Sequence, residues 1–144
     1  MIRVYLDNCC FNRPFDNQSS IRVKMETDAK LYIQFMILTG KIELVWSYII
    51  DFENEANPFV ERRDTIEKWK RLAVVVVIEN NPVLTKAEKY TNEGLKAKDA
   101  LHIACAIESG CQYFITTDDV VLKKMVNKTN IVVLNPIDFL KIEE

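Results

Sequence analysis

Ala73-Val74-Val75-Val76-Val77-Ile78 is a β-branched run in which polar and apolar residues do not alternate. Such a run fits a strand buried on both faces, as in a parallel sheet with helices on either side. Before it, Pro58 suits the first turn of a helix running to about Leu72. After it, Pro82 to Leu95 reads as an amphipathic helix. Asp99 to Ser109 is a helix apolar nearly all round, hence buried, and Gly110 ends it. Tyr113–Thr117 and Ile131–Leu134 read as strands around a helix from Asp118 to about Asn127, and Pro136 begins a last short helix. Toward the amino terminus, Ile42–Trp46 is a short β-rich run, and Ser47 is a good N-cap for a helix to about Asn57. Ile21, Met25, Tyr32, Phe35 and Met36 fall on one face of a long amphipathic helix that stops near Gly40. The mostly polar stretch Asn12 to Ser20, with Pro14, reads as a loop. The first strand is Ile2–Leu6, ending at Asp7.

Strands alternating with helices imply an α/β fold, a mainly parallel central sheet covered on both faces. The 144 residues, 49% hydrophobic, can bury one substantial core and are short for two. No internal repeat, low-complexity tract or Gly/Ser linker interrupts them, so residues 1–144 are expected to form one domain. No apolar run approaches the ~20 residues of a membrane span. Met1 to Leu6 lacks a signal peptide's apolar stretch, so a cytoplasmic location is expected. Cys9, Cys10, Cys105 and Cys111 form no C-x-x-C pair, and the chain has one histidine, which gives a zinc site almost no support. They read as reduced thiols. The formal charge of −2 is neutral on a polyanionic substrate: with four carboxylates neutralised by metal, 17 acidic residues would face 19 basic ones.

Four acids stand out by position. In parallel sheets function gathers at the carboxyl ends of the strands. Asp7 closes the first strand, where it could equally be a turn residue satisfying local backbone groups. Asp99 opens the apolar helix; an N-terminal carboxylate is a natural cap, yet an acid on a buried helix needs a donor, cation or metal. Asp118 follows a strand and starts a helix, so capping again competes with function, and adjacent Asp119 could be the cap or an outer helper. Glu53 lies in Asp51-Phe52-Glu53-Asn54-Glu55. At about 100° per residue it shares a face with Ile49, Phe52 and Ala56, which leaves Asp51 and Glu55 opposite, for solvent or a partner chain. A cluster of like charges is costly without a cation. Oxygen-only ligand sets suit Mg²⁺ or Mn²⁺, and phosphoryl transfer is the chemistry that uses them.

The order Tyr5-Leu6-Asp7-Asn8, Ser47-x5-Glu53, Lys98-Asp99-Ala100-Leu101-His102-Ile103-Ala104 and Ile115-Thr116-Thr117-Asp118 resembles the PIN domain over nearly the whole chain. The resemblance implies a three-layer α/β/α sandwich and Mg²⁺/Mn²⁺-dependent ribonuclease activity. For small stand-alone members it also implies a VapC-like toxin role with an antitoxin partner. Carried over, Asp7, Glu53, Asp99 and Asp118 are the acidic quartet, with Thr116 the hydroxyl near the last acid; Asn8 and Asp119, beside two of these acids, are candidate supporting residues on position alone. Asn8-Cys9 departs from the small hydroxyl residue and following polar residue more usual after the first acid.

His102, one turn from Asp99, reads as a hydrogen-bonded structural histidine ahead of a general base. Trp46, Trp69, Tyr5, Tyr32 and Phe35 could stack bases, but their places in apolar stripes favour core or a dimer face, and a homodimer is expected. The basic surface of Arg62, Arg63, Lys68, Lys70 and Arg71 is balanced by Glu61, Asp64 and Glu67. The leading expectation is thus a metal-dependent endoribonuclease. A weakened PIN-like module that binds RNA or protein without cutting is the alternative. An aspartyl-phosphate phosphatase is disfavoured, because Cys9 stands where its second acid belongs.

Overall fold

The computed structural model describes residues 1–128 and 130–143. Its strands are β1 (Arg3–Leu6), β2 (Glu43–Ser47), β3 (Ala73–Val77), β4 (Tyr113–Ile115) and β5 (Val132–Leu134). They form one sheet in the order β3-β2-β1-β4-β5, with every pairing parallel. Between them run α1 (Asn8–Asn12), α2 (Ile21–Leu38), α3 (Tyr48–Glu55), α4 (Val60–Glu67), α5 (Asn81–Asn92), α6 (Ala97–Glu108), α7 (Asp119–Met125) and α8 (Pro136–Glu143). α2 packs with α8 and α5 with α6, giving the α/β/α layering that the alternation implied. The chain moves outward from β1 through β2 to β3, then returns to place β4 on the other side of β1. The carboxyl ends of β1 and β4 therefore flank a topological switch point, where open α/β sheets bind their ligands.

Local chemistry explains the boundaries. Ser20, Ser47, Asn80 and Asp118 accept backbone N–H groups at the starts of α2, α3, α5 and α7. Gly110, at a φ of +80°, lets the chain leave α6 toward β4 in a left-handed conformation. Tyr5, Leu6, Trp46, Ile50, Ile103 and Phe114 are fully buried around the central strands. Among the described residues no helix is long and apolar enough to cross a membrane.

Three expectations need correction. The valine run is an edge strand, not one covered on both faces: Val74 and Val76 are about half exposed while Val77 is buried. β-branched residues suit a strand whether one face or two are covered, so composition alone could not place it. The α2 stripe also faces outward, with Ile21 79% and Met25, Tyr32 and Phe35 each about half exposed; only Met36 of that set is buried. The inward side carries Ala29, Ile33, Met36 and Ile37 together with Glu26, whose charge is met by Arg13 at 2.6 Å. A buried ion pair hides the true inner face from a hydrophobicity pattern. Finally, the stretch read as a loop contains the end of α1 and a 3₁₀ turn, Arg13–Phe15, both too short to show a helical period.

Candidate active site

The strand pleat puts Tyr5 and Asp7 on the same side of β1, two residues apart. Asp7 is 6% exposed and caps α1, its Oδ1 accepting the Asn8 N–H at 2.8 Å. Its Oδ2 accepts the hydroxyl of Thr116 at 2.8 Å, and the same Thr116 oxygen accepts the Asp118 N–H at 3.1 Å. Thr116 thus ties the ends of β1 and β4 together. Cys9 joins this contact: its Sγ lies 3.3 Å from Thr116 Oγ1 and accepts the Thr117 N–H at 3.4 Å. The thiol also supports Asp7, its Sγ donating to Oδ2 at 3.5 Å.

Glu53 enters from α3. Ile49 and Ile50, one turn before it, are buried, and its carboxylate reaches His102 Nε2. Phe52 and Ala56, expected on its face, are exposed instead. The inward arc of α3 runs through Ile49, Ile50, Glu53 and Asn54, shifted from the expected one but still holding Glu53. Asp51 is not left to solvent: it accepts the Trp46 indole N–H at 2.8 Å and pairs with Lys70 at 3.0 Å. The expectation failed because helix geometry alone cannot see a donor arriving from β2.

Asp99 stands in the first turn of α6, half-buried. Burial pushes its carboxyl pKa up, the charges of Asp7, Asp118 and Glu53 push the same way, and His102 partly offsets them. Asp118 caps α7, its Oδ1 accepting Val120 N–H at 2.9 Å and Val121 N–H at 3.3 Å. Capping and membership of the acid group are therefore compatible. Asp119 turns away to Arg22, which it pairs at 2.7 Å, and that guanidinium lowers its pKa. Asn8 lends its backbone N–H to Asp7, and its own Oδ1 is buried without a partner among the described residues.

The residue underrated in the sequence is His102. It is buried and hydrogen-bonded, as a structural histidine would be, with Nδ1 2.6 Å from the Tyr5 hydroxyl. It also faces the acids: Nε2 meets Glu53 and lies 3.8 Å from Asp7 Oδ1. Burial alone would lower its pKa, but the Glu53 hydrogen bond and the charges of Asp7, Glu53 and Asp99 outweigh burial and raise it. The available signal was the i, i+3 spacing of Asp99 and His102, which puts both on one helix face.

One ligand atom each from Asp7, Glu53 and His102 lie within 4.8 Å of one another. Two carboxylates and an imidazole are donors that divalent cations accept, so the residues present fit a metal ion.

A parallel α/β/α protein with carboxylates converging at the switch point of its sheet is the class that these features define. The chain belongs to the PIN domain family, whose model matches residues 4–128. A comparison with curated protein sequences found no match. Among solved structures the fold is similar to that of VapBC2 from Rickettsia felis, bound to a DNA fragment from its promoter. The TM-score there is 0.58 at 12% identity, covering 93% of this chain and 98% of the other. It is also similar to PAE2754 from Pyrobaculum aerophilum, with a TM-score of 0.54 at 16% identity, covering 99% of this chain and 96% of the other.

Proposed function

We propose that the chain is a Mg²⁺- or Mn²⁺-dependent endoribonuclease that hydrolyses RNA phosphodiester bonds, and the toxin of a type II toxin–antitoxin pair. The observation that carries this reading is the meeting of Asp7, Glu53 and His102 within 4.8 Å at the switch point, next to Asp99, whose pKa is raised first by burial and further by the charges of Asp7, Asp118 and Glu53. Membership of the PIN domain family supports the nuclease class, and the likeness to VapBC2 supports an antitoxin partner. Residues 1–144 act as one nuclease unit in the cytoplasm, and the apolar stripe of Ile21, Met25, Tyr32 and Phe35 supports a homodimer.

Asp7, Glu53, Asp99 and Asp118 would hold the cation. Once bound, it supplies positive charge to the phosphoryl oxygens and acidifies the attacking water. Asp7 is fixed in one orientation by Thr116 and by its own cap on α1, so it needs little reorganisation to bind. Asp118 uses Oδ1 to cap α7, and its Oδ2 would be the oxygen offered to the cation. Asp99, whose proton is held more tightly than that of an ordinary aspartate, would gain from a neutralising charge. In the test, purified protein cleaves RNA with either ion, stops when chelator is added, and loses turnover in Asp99→Asn. Undiminished cleavage in excess chelator overturns the reading.

A further inference from the structure

The acids alone would make an oxygen-only site, yet the side chain that lies between Glu53 and Asp7, with Nε2 against Glu53 and 3.8 Å from Asp7 Oδ1, is an imidazole. Its other nitrogen is already engaged: His102 Nδ1 lies 2.6 Å from Tyr5 Oη, and Tyr5 Oη lies 2.6 Å from Ser47 Oγ. All three residues are buried. A phenol between two partners can point either way. When Tyr5 donates to Nδ1, the imidazole carries its proton on Nε2 and donates it to Glu53. When Tyr5 donates to Ser47, it accepts Nδ1–H instead, and the Nε2 lone pair faces the two carboxylates. Both arrangements keep one proton on the phenol and one on the neutral ring; the first satisfies every partner, whereas the second leaves Nε2 without one. The second arrangement places a lone pair beside two anions, so a cation is what it fits. Imidazole ligands in metal sites are held in just this manner, with the far ring N–H donated to a fixed acceptor.

We propose that His102 Nε2 is a direct ligand of the divalent cation together with Asp7 and Glu53, held in the ligating tautomer by Tyr5 and Ser47, and that this nitrogen makes the centre prefer Mn²⁺ to Mg²⁺. The proposal rests on the metal-dependent reading above and replaces an all-oxygen donor set with a mixed one. Preference follows from donor chemistry: Mg²⁺ is served by carboxylate, carbonyl and water, whereas imidazole nitrogen suits transition-metal ions. Asp99 and Asp118 would add oxygen donors to that set.

The chain contains one histidine, so in tag-free protein an imidazole nitrogen coupled to bound Mn²⁺ can come only from His102. Electron spin echo envelope modulation of the wild-type Mn²⁺ complex reads that coupling without any variant. The expected result is nitrogen modulation of imidazole type, absent from Mn²⁺ in buffer. Equilibrium dialysis of His102→Gln, checked for folding by circular dichroism, should show Mn²⁺ affinity falling by ~10-fold or more while Mg²⁺ affinity changes less. Mn²⁺ that binds without nitrogen modulation overturns the proposal and leaves the oxygen-only metal site standing. Wild-type protein that binds no Mn²⁺ overturns the proposal and the metal reading together.

Discussion

Thr116 donates its hydroxyl to Asp7 Oδ2 at 2.8 Å across 109 residues of sequence, and through that bond the two sides of the switch point are locked together. The same oxygen accepts the Asp118 N–H, so one buried hydroxyl orients the first acid and the turn that carries the last. Thr116→Val keeps shape and removes both bonds. It should cost about 1–3 kcal/mol of stability, since the buried Asp7 Oδ2 is left with only the weak Cys9 thiol and the partly buried Asp118 N–H loses its acceptor. Turnover should fall ~10-fold or more, while Thr116→Ser should restore both. Denaturant unfolding and RNA cleavage by the two variants measure this; equal behaviour of Val and Ser would show that the hydroxyl does not matter.

The two nearest acids of α3 should separate cleanly. Glu53→Gln is nearly isosteric and should fold normally while losing at least ~10²-fold in turnover. Asp51→Ala strands the buried Trp46 indole N–H and should cost about 1–2 kcal/mol with turnover unchanged. Thermal melts beside cleavage assays decide it. Loss of turnover in the Asp51 variant with an active Glu53 variant would mean that the wrong acid has been placed in the site.

Asp99 links stability to pH. The native state holds its proton more tightly than the unfolded chain does, so stability falls as pH rises from the ordinary carboxyl range through the raised pKa. In chelator, Asp99→Asn should therefore melt above wild type at neutral pH and lose that advantage below the ordinary carboxyl pKa. Added Mn²⁺ should raise the wild-type melting temperature more than that of the variant. A variant less stable than wild type in chelator at neutral pH would make Asp99 a structural cap.

A second buried charge lies outside the site. Lys30, 4% exposed with its Nζ 5.5 Å from the Phe11 ring centroid, has its pKa lowered by burial to about 8. Between that value and the ordinary lysine pKa of 10.5 the unfolded chain binds more protons, so this residue makes stability rise with pH there. Lys30→Met should stabilise the protein by roughly 1–3 kcal/mol at neutral pH. The gain should shrink as pH climbs through that window. Urea unfolding of both proteins across the range measures the difference; a gain independent of pH would mean that Lys30 is buried without a shifted charge.

The parallel sheet, the strand-end acids and the Ser47 cap were legible because backbone periodicity and capping are local properties. What depends on neighbours far along the chain was not. The edge position of Ala73–Val77 is set by strand order, which β-branching does not encode. The inner face of α2 is disguised because polar residues, among them Glu26 paired with Arg13, share it with Ala29, Ile33, Met36 and Ile37. Asp51 is drawn inward by Trp46, and His102 is tied to Tyr5 across 97 residues; neither partner is visible from the helix that bears the residue. The histidine was underrated because a buried, hydrogen-bonded ring and a ring aimed at carboxylates look alike in one dimension.

The most direct test of metal-dependent hydrolysis is the chemistry of the RNA ends. RNA is cleaved by wild-type protein with Mn²⁺ in water enriched in heavy oxygen, and the new termini are analysed by mass spectrometry. Attack by water should leave linear phosphate monoesters carrying one heavy oxygen, and chelator should abolish them. Cyclic phosphate termini that persist in chelator would mean that the ribose hydroxyl is the nucleophile and that the carboxylates do not serve hydrolysis.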